Sequence, residues 1–306
     1  MTEAQQALDF GRTMDAASPS QRSKGGPTDP KTFSYKIWKW HRMDLFDPVR
    51  PVSSFIVPTS VLLCVRVLFL LYGIIVHVYT WVQASRSPLG FWSWAQYFTD
   101  MTYFGLIVYF GVISFHTLIY FRGVENWTLD KWHWGFNLAL WYLYESAVAF
   151  HPVVVAVFWT VLAPSVWSSQ AAYWNNLSKH GLELLFIYVD VILNRWDHLM
   201  FTHIPLILVI VLLWMFWSWI FTATHPGMWT YPFMDYHKTS NVVYYLALPV
   251  AFVISFIVGK YLHLAKERLA TKLGLARRFQ RVVPKEEKTP DHQLAEMSVP
   301  PMAASV

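Results

Sequence analysis

The sequence is poor in the residues that soluble or disulfide-bonded proteins rely on. Its 306 residues include one cysteine, Cys64, which lies in an apolar run, so disulfide frameworks and cysteine-based metal sites are excluded. Charged residues make up 14% of the chain, whereas soluble proteins carry about a quarter. The first 50 residues contain no apolar stretch like that of a cleavable signal peptide. The sequence therefore predicts entry into a membrane through an internal helix.

Hydrophobic and aromatic residues are abundant instead. The chain is 55% hydrophobic and contains 17 Trp, 16 Tyr and 22 Phe, which is the composition of a membrane protein. A helix needs about 17 to 25 mostly apolar residues to cross a bilayer. Six runs are suitable, at 55–82, 101–120, 138–162, 177–193, 203–221 and 242–262, and Pro152 could bend the third. The sequence predicts an all-α polytopic membrane protein with a six-helix transmembrane bundle.

The basic residues lie mainly at the two ends of the chain. Of the 24 Lys and Arg residues, eight lie within 1–50 and eight within 264–306, and basic flanks mark the cytoplasmic side of a membrane protein. We therefore expect three regions: a polar N-terminal tail (1–50), a six-span transmembrane domain (51–263) and a basic, disordered C-terminal tail (264–306). An even number of spans would place both tails in the cytosol. The endoplasmic reticulum or another endomembrane is the expected location, with the plasma membrane as the alternative, and the sequence does not indicate an oligomeric state.

The C-terminal tail includes the basic cluster "ARRFQR" at 276–281. Basic residues close to a membrane gain about 1 kcal/mol each from anionic lipid headgroups. We therefore expect this tail to bind anionic headgroups, and we expect no nucleic-acid partner.

Polar side chains share one face of the fourth run. His180, Glu183, Asp190 and Asn194 fall within about 80° on a helical wheel, and we expect this stripe to face protein or water because ionisable groups are costly in hydrocarbon. Asp190 lies about 15 Å along the axis from His180, too far to be its partner. Its predicted partner is Arg66, the one basic residue deep in the first run. By periodicity alone, His180 could equally be a solvated interfacial histidine.

A threonine and an aspartate open the second run in "QYFTDMTYF". From the residues alone, the favoured interpretation is that Thr99 and Asp100 cap the helix. The second and fourth runs begin on the same side of the membrane, so Thr99 and His180 are also expected at comparable depth. A hydroxyl beside a neutral imidazole supplies the nucleophile and the general base that acyl transfer requires. No G-x-S-x-G motif is present.

Four stretches resemble the androgen-induced gene family of multispan membrane proteins, which includes the androgen-dependent TFPI-regulating protein. They are "FTDMTYFGLIVYFG" (98–111), "AFHPVVVAVFW" (149–159), "LSKHGLELLFIYVD" (177–190) and "GMWTYPF" (227–233). The likeness covers roughly residues 90–262 and is that of a distant member. Thr102 lies on the same face as Thr99, but the spacing to the aromatic pair and glycine at 109–111 selects Thr99. Leu177 replaces a second histidine of the family, and Glu183 replaces an aliphatic residue.

The resemblance implies an integral membrane hydrolase of lipid esters, specifically of fatty acid esters of hydroxy fatty acids. It implies that Thr99 attacks the ester carbonyl and that His180 is the base. We further expect Glu183, Asp190, Trp229 and Tyr231 to have supporting or substrate-pocket positions. No metal and no cofactor are expected, and the partner is a membrane lipid substrate.

Three other functions are weighed against this hydrolase. A desaturase-like metal oxygenase needs closely spaced histidine boxes, and the twelve histidines here are scattered. A haem-carrying bundle would use histidines at matching depth on different helices, which His77, His116, His151 and His180 leave open. A non-enzymatic lipid-binding or scaffold protein is the stronger alternative, because it needs the pocket and the "GMWTYPF" loop but neither Thr99 nor His180.

Overall fold

The protein is built from apolar helices. The computed structural model describes residues 26–163 and 169–275, and all regular elements in these two ranges are helical. Five helices there are long and apolar enough to cross a membrane. The chain is therefore an integral multi-pass membrane protein, as its composition predicts.

The helices follow the predicted apolar runs closely. A short helix, Phe33–Trp40 (α1), precedes the long helices Thr59–Ser85 (α2), Phe98–Arg122 (α3) and Trp134–Val157 (α4). The chain continues with Gln170–Leu177 (α5), Glu183–Leu193 (α6), Ile204–Thr224 (α7) and Val242–Lys272 (α8). The α-helix is uninterrupted at Pro152, and its pattern changes only at a π-helical turn, Phe158–Leu162.

The segment predicted as the fourth span is broken in the middle. A π-helical turn, Ser178–Leu182, separates α5 from α6, and His180 within it has non-helical backbone angles, φ −132° and ψ 20°. Each of the three pieces is too short to be a spanning helix by itself. Five spans are thus supported by regular helices, and a sixth crossing by this kinked segment (170–193) stays a prediction.

Residues 26–50 differ from the polar tail predicted for them. Helix α1 lies in this region, and after it Met43 and Phe46 are fully buried. The Phe46 ring lies 5.7 Å from that of Trp141 and 6.1 Å from that of Trp196. Met43 and Phe46 lie at a single 3-10 turn after α1, where no helical periodicity in the sequence reveals that they join the core. Residues 1–25 and 276–306, including the basic cluster, lie outside the described residues.

The C-terminal boundary also differs, because α8 runs to Lys272 beyond the predicted end of the transmembrane domain. Its last turns pack onto the N-terminal segment: Glu267 forms an ion pair with Arg50, and Arg50 also contacts Asp197 at 2.8 Å. Earlier in α8, a Cβ on Gly259 would lie 2.8 Å from Val148 of α4. The glycine therefore lets these two helices approach closely at the centre of the bundle.

Candidate functional site

Thr99 lies in the first turn of α3 but does not cap it. The N-cap residue is Tyr97, and its side chain makes no capping hydrogen bond. The Thr99 hydroxyl instead lies 3.5 Å from the hydroxyl of Tyr231. The capping role predicted for Thr99 and Asp100 is therefore wrong, because both side chains have partners elsewhere in the bundle.

Asp100 links the start of α3 to the kinked segment. Its Oδ1 lies 2.5 Å from the ammonium of Lys179, and both residues are buried. Thr99 precedes Asp100 and His180 follows Lys179, so one ion pair holds together the two stretches that carry the predicted pair. The sequence analysis did not identify Lys179 as a residue of the site. Its place beside His180 in an otherwise apolar run was the signal that could have identified it.

The His180 ring is held by an aromatic contact. It stacks on the ring of Phe158 with centroids 3.6 Å apart and planes 3° from parallel. Its Nδ1 is buried without a hydrogen bond, and the Trp159 indole donates to its backbone carbonyl at 2.7 Å. In the part of the chain that the structure describes, no hydrogen bond joins the Thr99 hydroxyl to the His180 ring. The predicted pair thus lies in adjacent segments without a direct bond.

A second pair of ionisable groups lies beside His180. Glu183 and His151 are fully buried, and Oε2 of Glu183 lies 3.2 Å from Nδ1 of His151 without hydrogen-bond geometry. Like His180, Glu183 is buried as the stripe predicts. Glu183 is not among the lining residues of the cavity described next, and its supporting role stays a prediction.

An apolar cavity of about 240 Å³ opens beside Thr99. It lies between α4, α7, α8 and the loop that follows α7, and Thr99, Phe158, Trp214, Tyr231 and Phe252 are among its lining residues. Most of its wall is aliphatic or aromatic carbon. Thr99 therefore borders a volume suited to hydrocarbon chains.

Thr102 faces a different space. It lines a second cavity, of about 450 Å³, between α3, α4 and α7. Its hydroxyl donates to the backbone carbonyl of Thr99 at 3.1 Å. The two threonines therefore differ in surroundings, although both lie near the start of α3.

The "GMWTYPF" loop contributes one of its two predicted pocket residues. Tyr231 lines the first cavity, and its ring stacks on Phe233 with centroids 5.1 Å apart. Trp229 is not a lining residue and packs edge-on against Tyr236 at 4.8 Å. The two residues of this irregular loop therefore have different surroundings, and the supporting role predicted for Trp229 stays a prediction. Burial raises the pKa of Tyr231, which lies outside the spans.

Asp190 belongs to a separate network deeper in the bundle. Its carboxylate accepts hydrogen bonds from Nε of Arg66 at 2.7 Å and from the hydroxyl of Tyr109 at 2.6 Å. Asn194 also donates to it, at 2.9 Å. The predicted Arg66 partner is confirmed, and Asp190 is not among the lining residues of the two cavities described above. The supporting role predicted for Asp190 stays a prediction.

Within the described residues, no group of three or more His, Cys, Asp or Glu side chains is placed to hold a metal ion. Comparison with protein-family models, with curated proteins and with solved structures finds no match. The family resemblance therefore stays a prediction.

Proposed function

We propose that the protein is an integral membrane hydrolase of lipid esters, with Thr99 as nucleophile and His180 as base. Following the resemblance, the substrate class is the fatty acid esters of hydroxy fatty acids. The observation that carries the proposal is the Thr99 hydroxyl at the wall of an apolar cavity, one residue from the ion pair that ties α3 to the segment of His180.

The cavity accounts for how such a substrate would bind. An acyl chain is as apolar as the lipid around the protein, and the cavity lies between three helices rich in aromatic and aliphatic side chains. The chain would lie against Trp214 and Phe252, and the ester group would stop at Thr99. Because most of such a substrate is hydrocarbon chain and only its ester and carboxyl groups are polar, it would enter sideways from the bilayer.

The reaction would then run as an acyl transfer. The Thr99 oxygen attacks the ester carbonyl carbon while His180 takes the hydroxyl proton, and His180 returns this proton to the leaving alcohol. Water attacks the resulting acyl-threonine ester, with His180 again as base. The His180 ring has to turn away from Phe158 to reach Thr99, and catalytic hydrogen bonds commonly tighten only when substrate is bound.

The proposed setting is an endomembrane, most simply the endoplasmic reticulum, with six spans and both tails in the cytosol. The basic C-terminal tail would then lie against anionic headgroups of the cytosolic leaflet. These features rest on the distribution of Lys and Arg in the sequence.

The proposal is tested with membranes that contain the wild type, Thr99→Ala, His180→Ala or Thr102→Ala. We expect wild type and Thr102→Ala to cleave long-chain hydroxy-acid esters and to react with a fluorophosphonate probe. Thr99→Ala should do neither, and His180→Ala should lose about 100-fold or more in rate. Thr102→Ala is the matched control, since it removes a neighbouring hydroxyl of the same helix. An inactive and unlabelled wild type would contradict the proposed enzyme function.

A non-enzymatic lipid-binding protein is the second candidate. The stacking of His180 on Phe158 favours it, because a ring so held serves no base function. In that case wild type would show no turnover yet retain saturable binding of a photoreactive fatty ester. A bulky Leu248→Trp substitution in the cavity wall should reduce the binding, while Leu213→Trp on the exposed face of α7 should not.

A further inference from the structure

The cavity beside Thr99 has few polar groups, and most of them are already used within the protein. The Trp214 indole donates a hydrogen bond to the backbone carbonyl of Gln96 at 3.0 Å. The Tyr245 hydroxyl donates to the backbone carbonyl of Met234 at 2.5 Å. The hydroxyl of Tyr231 differs, since its hydrogen-bond contact is the Thr99 hydroxyl at 3.5 Å. Tyr231 is thus the donor in the cavity wall that faces the proposed nucleophile.

The spacing of these two oxygens suits an ester carbonyl. In a near-attack arrangement the carbonyl carbon lies about 3 to 3.5 Å from the nucleophile. The carbonyl oxygen is about 1.2 Å further on. A donor 3.5 Å from the Thr99 oxygen can then reach the carbonyl oxygen at an ordinary hydrogen-bond distance. The contact between the two hydroxyls is long for a hydrogen bond, so an incoming carbonyl would gain the stronger partner.

We propose that Tyr231 is a catalytic residue of this site, which donates its hydroxyl hydrogen bond to the carbonyl oxygen of the ester that Thr99 attacks. This inference rests on the proposed hydrolase function and gives that site its oxyanion donor. When the bond from the Thr99 oxygen to the carbonyl carbon forms, the carbonyl π pair moves onto the oxygen beside Tyr231. The Thr99 proton goes to His180, and collapse of the oxyanion breaks the bond to the leaving alkoxide, which takes the proton from His180. Tyr231 keeps its own proton throughout.

The surroundings of Tyr231 suit a fixed donor. Its ring stacks on Phe233 and lies 5.9 Å from the rings of Tyr97 and Trp214. The neighbouring Thr230 hydroxyl accepts a hydrogen bond from Ser218 of α7 at 2.7 Å. Burial raises the pKa of Tyr231, so the phenol is a donor and not a base at physiological pH. A donor held before the reaction stabilises developing charge without a cost of reorganisation.

The ends of the loop are also pinned, which keeps the tyrosine in register with the cavity. Asn241 donates from its amide to the carbonyls of Pro232 and Asp235, both at 3.0 Å. These bonds hold the turn after Tyr231 against the start of α8.

The test compares Tyr231→Phe with Tyr236→Phe in membranes of the full-length protein. Tyr236 is the matched control: it lies in the same loop, packs edge-on against Trp229 and lines neither of the two cavities described above. We expect Tyr231→Phe to lower kcat about 100-fold to 1,000-fold, as the loss of one oxyanion donor does elsewhere. Fluorophosphonate labelling of Thr99 should slow to a similar extent. Tyr236→Phe should behave like wild type.

Two inhibitors separate a catalytic role from packing. A long-chain trifluoromethyl ketone mimics the tetrahedral oxyanion, whereas the matching ether lipid has no carbonyl. Tyr231→Phe should weaken binding of the ketone by the same factor as it lowers kcat/KM, and it should leave binding of the ether lipid unchanged. Equal loss of both inhibitors would mean that the tyrosine only shapes the cavity, which overturns the inference.

The outcomes also separate this inference from the proposed function. If wild type turns over and depends on Thr99, but Tyr231→Phe keeps the wild-type kcat, the inference alone fails. If wild type neither turns over nor labels, the proposed function fails and the inference fails with it.

Discussion

Arg66 and Asp190 show what a charged residue requires inside this bundle. Both are fully buried, and the guanidinium also donates to the carbonyl of Pro51 at 2.9 Å and to the hydroxyl of Thr117 at 2.7 Å. A buried charge is tolerated when its polar atoms are paired, and removal of one partner leaves the other uncompensated. The pair therefore specifies how α2 packs against α6.

At the residue scale, we predict a large cost for breaking this pair. Asp190→Ala should destabilise the protein by about 3 to 5 kcal/mol, because it leaves the Arg66 charge buried with neutral partners. The double variant Arg66→Met, Asp190→Leu should recover much of this loss. Thermal unfolding in one detergent measures both.

Asp130→Ala is the control, since the carboxylate of Asp130 is exposed and lies 3.5 Å from Lys131. Its effect should stay under about 0.5 kcal/mol. A double variant less stable than Asp190→Ala would show that the ion pair is not the source of the cost.

At the scale of elements, α1 is docked through histidines. Nδ1 of His203 lies 2.7 Å from the carboxylate of Glu145, and its Nε2 donates to the carbonyl of His41 at 3.0 Å. The His41 ring lies 2.7 Å from the hydroxyl of Tyr142. The residue that ends α1 is thus attached to α4 and to the start of α7.

This docking should weaken in acid. Burial, and after it the charge of His203, lowers the pKa of His41 to about 4, so the docked state favours its neutral form. The stabilisation is complete above the ordinary histidine pKa of about 6.5 and is lost as pH falls toward 4. Hydrogen exchange of the amides of α1, corrected for intrinsic rate, should show less protection at about pH 5 than at about pH 7.5.

His41→Gln isolates the contribution of this histidine and should flatten the pH dependence. Two other groups also have shifted pKa values. Burial raises the pKa of Asp197 to about 6 and lowers the pKa of His198 to about 4. The contribution of Asp197 to stability has the opposite pH dependence. Its raised pKa stabilises the folded state in acid, and this stabilisation is lost as pH rises through about 6. An unchanged pH profile in His41→Gln would assign the effect to His198.

At the scale of the whole molecule, the kinked segment decides the topology. Lys179 contacts Asp100 at one end of the bundle, and at the other end Arg50 donates to the carbonyl of Arg195 at 2.9 Å. Lys179 and Arg195 are sixteen residues apart, and a helix of that length would cover about 24 Å, close to the hydrocarbon thickness of a bilayer. We therefore predict a sixth crossing, which would place both tails on the same side.

Glycosylation reporters test this topology. We expect sequons on flexible linkers at both termini to stay unmodified and a sequon inserted in the turn after α2 to be glycosylated, because the tails carry most of the Lys and Arg. An endoglycosidase-sensitive mobility shift measures each. One modified tail would mean that the kinked segment does not cross, and two would invert the orientation.

Periodicity and composition predict some of the contacts in this structure but not others. The polar stripe of α6 is buried, and Arg66 was recognised as the partner of Asp190, because a lone charge in an apolar run must find a counter-charge. Lys179 and the core role of Phe46 were missed. Each depends on which segment lies opposite, and helical periodicity says nothing about that.

The sequence by itself determined that the chain is helical and crosses a membrane, because hydrocarbon requires long apolar helices whose backbone bonds are satisfied within each helix. Only the tertiary structure decided that Thr99 faces an apolar cavity and Tyr231, and that Trp229 does not. It also decided that His180 lies against Phe158 at a kink. These contacts join residues far apart in the chain, and local sequence does not encode the packing that brings them together.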